Sequence, residues 1–288
     1  MSYEAIEFEV DRRIALVTLN RPERMNAWND RMAGELVHAM RRCDEDDGIR
    51  AVVVTGKGRA FCAGADLAGG SGTFGDFNDR QKKPRERPAA ESGRQAEPLE
   101  RDSPAATGYA GPFPWQIRKP VFAAINGHAI GVGITYPMTC DVRLVAEDAK
   151  VQFAFTRRGV VPELWSHVIV PRVAGLSNAA DVLLTGRMLS GRELAELGLA
   201  SAALPAAEVL PATLERAREV ILAAPASVAL SKRLLWEGLT STLPEIGRRE
   251  AKLFAWASQQ PDAREGIVAF MEKREPEWKL RASEDLPD

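Results

Sequence analysis

Apolar and polar residues alternate from Ile6 to Asn20 and pause at Asp11-Arg12. A period of two with a polar break predicts two strands joined by a tight turn, and the β-branched content of IALVTLN suits a half-buried sheet. From Asn26 the period lengthens. Trp28, Met32, Leu36 and Met40 recur every fourth residue, which predicts an amphipathic helix that ends in the acids before Gly48. Ile49 to Thr55, IRAVVVT, is continuously apolar and of strand length, as in a strand covered on both faces. Val121 to Ile125, VFAAI, repeats that character; a glycine-rich turn, an apolar helix and a strand near Asp141 to Ala146 follow it. The plan of the first part of the chain is thus used twice.

Between these halves, Gly69 to Trp115 carries six prolines, seven glycines and charges of both signs without any period. Such a stretch predicts a long mobile loop, a lid or partner surface that contributes to a pocket wall. From Phe155 the pattern becomes helical, with a capping box at Ser190-Gly-Arg-Glu193 and helix-like runs over Leu214 to Leu222, Ser227 to Trp236 and Arg249 to Ser258. The expected fold class is α/β. A core over residues 1–200, interrupted by an insertion at 69–115, precedes a helical region over 201–288 that covers the core or a neighbouring subunit.

Composition narrows the function. With 288 residues, 45% hydrophobic, a net charge of -2 and dispersed lysines and arginines, the chain has ample core and no basic footprint for nucleic acid. No window reaches the ~18 apolar residues of a membrane span, and the acidic, alternating N-terminus resembles neither a signal nor a transit peptide, so a cytoplasmic protein is expected. Cys43, Cys62 and Cys140 are scattered, and with His38, His128 and His167 they form no metal-ligand spacing; neither metal nor cysteine chemistry is expected.

Two glycine-bearing turns are the strongest chemical signal. Ala63-Gly64-Ala65 follows the first buried strand, and Gly131-Val132-Gly133 follows the second. A strand-to-helix turn exposes unpaired N–H groups at the positive end of a helix dipole, and two such turns side by side aim two donors at one oxygen. Close packing of strand against helix asks for the same small residues, so the pattern alone leaves both readings open. The spacing G-x-G-x-x-G of a dinucleotide fold is absent.

Five segments together carry a resemblance: NRPERMNAWN at Asn20 to Asn29, RAFCAGADL at Arg59 to Leu67, KPVFAAINGHAIGVG at Lys119 to Gly133, TGRMLSGRELAELGLA at Thr185 to Ala200, and FMEKREPEW at Phe270 to Trp278. In this order they resemble the crotonase (enoyl-CoA hydratase/isomerase) superfamily over nearly the whole chain outside the loop. The resemblance implies a crotonase-like ββα spiral with a helical C-terminal trimerisation region, an acyl-CoA substrate, and a homotrimer or dimer of trimers. It implies no cofactor, coenzyme A being part of the substrate. It places the thioester carbonyl on the N–H groups of Ala65 and Val132, and it places Arg24, Ala27, Ala63, Asp66 and Leu67 around the CoA moiety. Phe270 and Lys273 are implied to reach CoA in an adjacent protomer. For Asp66, an acid that caps or fixes the turn is the more economical reading.

The chain departs from typical hydratases where it matters most. The two positions that hold their glutamates fall here on Thr135 and Phe155, neither of which moves a proton as a carboxylate does. A different acid is available in RRGVVPELW. Glu163 follows Pro162, which suits the first turn of a helix, and has apolar neighbours, so that dipole and burial oppose each other in setting its pKa. The segment G-x-x-x-E resembles the branch of the superfamily that includes peroxisomal-type Δ3,Δ2-enoyl-CoA isomerases, whose single glutamate takes a proton from C2 and returns it at C4. Glu163 is therefore the expected base, with His167 four residues on as a candidate to orient it. Hydration through a rewired site, hydrolysis of a thioester or carbon–carbon bond, and silent CoA binding are the alternatives.

Overall fold

The computed structural model describes residues 3–72 and 111–287, so most of the expected loop at 69–115 lies outside the described residues. Strands β1 (Ile6–Asp11) and β2 (Ile14–Leu19) form an antiparallel hairpin. Its turn is Arg12-Arg13, both left-handed at φ 45° and 67°, one residue beyond the expected Asp11-Arg12. A two-residue turn of this hand matches the twist of the strands. Helix α1 (Asp30–Glu45) begins later than Asn26, because the Asn29 side chain accepts the Met32 N–H and caps the helix there. Its buried stripe is Met32, Leu36, Ala39, Met40 and Cys43.

The repeat in the sequence becomes two sheets built in step. Strands β3 (Ala51–Gly56), β5 (Val121–Ile125), β7 (Val142–Ala146) and β10 (Ala202–Leu204) extend the hairpin into a six-stranded sheet of order β1-β2-β3-β5-β7-β10, parallel from β2 onward. Each of the first three then passes into a short strand, β4 (Ala60–Cys62), β6 (His128–Ile130) or β8 (Lys150–Gln152). These join β9 (Leu189–Ser190) in a second sheet of order β4-β6-β8-β9. Every residue of β3 and β5 is buried. Each fully buried valine of β3 contributes on the order of 1.5–3 kcal/mol, which makes this strand pair the centre of the core.

Helices α2 (Val132–Met138), α3 (Ser166–Ala174), α4 (Leu176–Thr185) and α5 (Gly191–Glu196) lie between β6 and β10 along the chain, and the expected capping box at Ser190 and Glu193 starts α5. Then come α6 (Ala206–Leu222), α7 (Pro225–Gly238), α8 (Leu243–Ser258) and α9 (Pro261–Glu272). The expected division at residue 200 falls before β10, which still pairs in the main sheet, and α6 buries Val209, Thr213 and Ala217 against β3, β5 and β7. The α7 helix is tied down by Lys232, whose ammonium meets Asp141 at 2.8 Å and donates to the Pro114 and Lys119 carbonyls.

Helix α2 crosses strand β4 closely enough that a Cβ on Gly133 would lie 2.1 Å from the Cys62 carbonyl oxygen. Only glycine fits between helix and strand at this crossing. Gly133→Ala is expected to lower stability by about 1–3 kcal/mol or more. Gly34→Ala, inside α1 where the new methyl meets no atom within 4 Å beyond its chain neighbours and its own helix backbone, is expected to raise it by roughly 0.5–1 kcal/mol. Urea unfolding of the two variants beside the unaltered chain checks both signs.

Candidate active site

The site begins with two neighbouring parallel strands. In the β4–β6 pair Cys62 stands opposite Ala129, and two residues beyond each the chain reaches Gly64 and Gly131. These turns touch: a Cβ on Gly131 would sit 3.9 Å from the Gly64 Cα, and one on Gly64 would sit 3.0 Å from the Ile130 carbonyl oxygen. Both have positive φ, 101° and 57°, which excludes most side chains. Ala65 and Val132 follow in step, and among the described residues neither N–H donates to a protein acceptor. Val132 is the first residue of α2, where an N–H has no intrahelical acceptor. Two unpaired donors on touching turns, one at a helix N-terminus, can hold an oxygen that gains negative charge.

The first turn is fixed by the loop that precedes α1. Trp28 forms a bridge to Ala65: its N–H donates to the Gly64 carbonyl at 2.7 Å, and its carbonyl accepts the Asp66 N–H at 2.8 Å. Asn26 is wholly buried, accepts the Arg21 N–H and donates to the carbonyls of Lys57 and Ala60. Arg21 reaches Asp66 at 2.9 Å, and this hydrogen bond, together with that from the Ala68 N–H, holds the Asp66 carboxyl below the usual carboxylate range. The geometry of Asp66 is thus that of an acid that fixes a turn. Sequence reasoning passed over Arg21 and Asn26. The available signal was Asn26 itself, since asparagine tolerates the left-handed conformation it adopts here at φ 55°.

This arrangement brings five of the expected CoA contacts together. Arg24 is exposed at the end of a 3-10 turn, Ala27 and Ala63 are partly buried beside the bridge, and Asp66 and Leu67 follow the first glycine turn. Phe270 and Lys273 are elsewhere. They stand at the end of α9, Phe270 84% exposed and Lys273 as its left-handed cap, and a single chain does not bring them to the turns.

The expected position of Glu163 needs correction. It lies in a loop and not in a first helical turn, because Leu164 and Trp165 are both left-handed, at φ 50° and 57°, and α3 starts only at Ser166. The Glu163 carbonyl accepts from the N–H and hydroxyl of Ser166. No helix dipole therefore offsets burial. Burial alone raises the Glu163 carboxyl to about 7, and among the described residues it has no ion-pair partner. The helical relation to His167 is also lost, and that side chain is exposed. Of the apolar neighbours expected, Leu164 is buried while Val161 is 75% exposed. Thr135 is buried on α2 with its hydroxyl unpartnered, and Phe155 packs partly buried against the core.

Ring contacts join the two parts. Trp28 meets Tyr136 of α2 at 5.1 Å between centroids, Tyr136 meets Phe113 at 6.4 Å, and Phe113 meets Trp165 edge-on at 5.2 Å. The Glu163 loop and both glycine turns thereby share one aromatic wall. A separate cleft of about 680 Å³ lies between the Arg13 turn, Pro120 and the chain beyond α9, and none of the candidate residues lines it. The thiols of Cys43, Cys62 and Cys140 are each buried and pushed up to about 12 by burial, so they are poor nucleophiles. Among the described residues no helix is long and apolar enough to cross a membrane.

The sequence profile described as enoyl-CoA hydratase/isomerase matches residues 9–86 and 115–281. A probable enoyl-CoA hydratase of Rhodobacter capsulatus is 34% identical over 98% of this chain and 100% of its own. The 1,2-epoxyphenylacetyl-CoA isomerase of Escherichia coli is 32% identical over 96% of this chain and 98% of its own. The crystal structure of a probable enoyl-CoA hydratase/isomerase from Mycobacterium abscessus superposes with a TM-score of 0.82 at 33% identity, covering 96% of this chain and 99% of that one. With both sheets and the paired turns in place, the chain belongs to the enoyl-CoA hydratase/isomerase family, the crotonase superfamily, and is an enzyme of that kind.

Proposed function

We propose that this enzyme moves a proton at the α-carbon of an acyl-CoA thioester with one carboxylate, in the manner of a Δ3,Δ2-enoyl-CoA isomerase. The observation that carries this reading is Glu163: a part-buried carboxyl without an ion-pair partner among the described residues, raised to about 7, in the loop whose Trp165 joins the wall shared with the two glycine turns. A group that titrates near neutrality accepts and returns a proton with little cost in either direction. Thr135 and Phe155 supply no second carboxylate, and isomerisation needs none.

In this reading the Ala65 and Val132 N–H groups hold the thioester oxygen. Glu163 takes a proton from C2, the electrons of that C–H bond pass to the oxygen as an enolate, and the protonated acid delivers the proton to C4. The double bond shifts from C3–C4 to C2–C3, and the carboxylate is regenerated. The two donors contribute on the order of 10²–10³ in rate each. Arg24, Ala27, Ala63, Asp66 and Leu67 form the CoA-binding edge, which Phe270 and Lys273 of an adjacent protomer complete. No cofactor takes part. Leu243, Phe254, Phe270 and Met271 on α8 and α9 are each more than three-quarters exposed, an apolar surface that favours a homotrimer or dimer of trimers. A cytoplasmic setting belongs to the same reading.

The test uses 3-enoyl-CoA and 2-enoyl-CoA substrates in D2O, followed by mass spectrometry. Double-bond migration with deuterium uptake is expected, and Glu163→Gln is expected to lower it by about 10²–10⁴. Water addition that survives the substitution would instead favour a rewired hydratase. Release of free CoA would mark a hydrolase, and CoA-ester binding without any exchange a silent scaffold.

The raised carboxyl also fixes a pH dependence. As a base Glu163 works ionised, so kcat/KM for the isomerisation is expected to rise with pH through about 7. Stability runs the other way. Between the ordinary carboxyl value and about 7 the folded chain holds a proton that the unfolded chain has released, so this group's contribution is full at low pH and is lost as pH rises. The Tm advantage of Glu163→Gln over the unaltered enzyme should therefore widen by a few degrees from about pH 5 to about pH 8. A gap independent of pH would show that the carboxyl titrates normally.

A further inference from the structure

Four of the chain's six tryptophans gather in one cluster with Phe113 and Tyr136. The rings run in order from Trp28, hydrogen-bonded around Ala65, through Tyr136, one helical turn beyond Val132, to Phe113 and Trp165, two residues from Glu163. They continue to Trp115, edge-on to Trp165 at 5.4 Å, and to Trp236, 6.0 Å further, whose indole N–H donates to Asp141 at 2.6 Å. The arc thus begins beside the first glycine turn and reaches the loop that carries Glu163.

Its composition is not that of the rest of the core. Strands β3 and β5 are filled almost wholly by alanine, valine and isoleucine, apart from Thr55, Gly56 and Phe122, whereas the arc is built from rings. Within it Phe113 and Tyr136 are buried, while Trp28, Trp115, Trp165 and Trp236 keep part of their surface open. Two of the rings also bear polar atoms, Trp115 Nε1 and Tyr136 Oη, that are buried and have no partner among the described residues.

We propose that the acyl group taken by this site is planar and ring-bearing, an aryl or cyclic alkenyl acid, in preference to a long straight chain. The proposal rests on the reading that the thioester lies at Ala65 and Val132, and adds to it the class of acid. A flat ring entering this arc meets faces and edges already set at steep angles, 82° for both Trp165 contacts, and gains offset or edge-on stacking without ordering a chain. A flexible alkyl chain gains only contact area and loses rotational freedom.

Calorimetric titration of the intact enzyme with phenylacetyl-CoA, octanoyl-CoA and free CoA tests this. Phenylacetyl-CoA is expected to bind about tenfold more tightly than octanoyl-CoA, the size of two ring contacts. In Trp165→Leu the ratio is expected to collapse toward one, and Trp28→Leu serves as the second variant if the first does not fold. Equal or tighter binding of octanoyl-CoA, or a ratio unchanged in both variants, overturns the ring proposal while leaving the proton-transfer reading intact. Failure of all three compounds to bind overturns both.

Discussion

The register between β4 and β6 is the constraint on which the site depends. Setting Cys62 opposite Ala129 in parallel strands carries the chain to equivalent turns at Gly64 and Gly131, so two N–H groups from segments nearly seventy residues apart arrive in step. A one-residue slip would invert the faces of the pair and separate those donors. The register is held from several sides. Asn26 binds the Ala60 carbonyl, Gln152 accepts the Gly131 N–H at its carbonyl, and Gly133 lets α2 settle on Cys62. None of these residues would touch a substrate oxygen, yet each fixes where the oxygen can be held.

This division of labour explains which side chains are free to vary. Gly64, Gly131 and Gly133 are required by backbone angle or by contact with another main chain, whereas the donors themselves belong to Ala65 and Val132, whose side chains do not participate. A valine between two obligatory glycines therefore leaves the donor in place and narrows only the space above it. The same logic applies to Thr135 and Phe155. Their side chains form no hydrogen bond among the described residues, so on the proposed reading the chemistry of the site can change while the fold stays fixed.

Much of this was legible in the sequence, and the misses have physical causes. The period of two, the period of four and the continuous apolar runs located β1, β2, α1, β3 and β5, because burial on one face or two writes itself directly into residue order. The ends were less legible. Helix α1 starts four residues after Asn26 because a side-chain cap at Asn29 decides the boundary, and apolar spacing is blind to it. The glycine turns were visible as small residues, but their contact was not, since that follows from strand pairing at long range. The setting of Glu163 is misleading in the sequence: Pro162 suits a helix start, yet two consecutive left-handed residues intervene. Nothing in Leu-Trp announces that conformation, because tertiary packing imposes it.

On the proposed reading, that left-handed pair links chemistry to specificity. Non-glycine residues in this region cost about 1–2 kcal/mol each, so the conformation persists only because surrounding contacts over-determine it. Leu164 is 4% exposed and anchored in the core, and Trp165 is held edge-on between Phe113 and Trp115. The kink they make turns the chain before α3 begins, leaving the Glu163 carboxyl off the helix axis, away from the dipole that would otherwise favour its ionised form. A helix that began at Pro162 would place a more acidic carboxylate at its N-terminus and carry the Trp165 ring elsewhere. One local distortion thus sets both the environment of the Glu163 carboxyl and the position of the Trp165 ring, and on the proposed reading a change that relieved the strain would alter rate and acyl preference together.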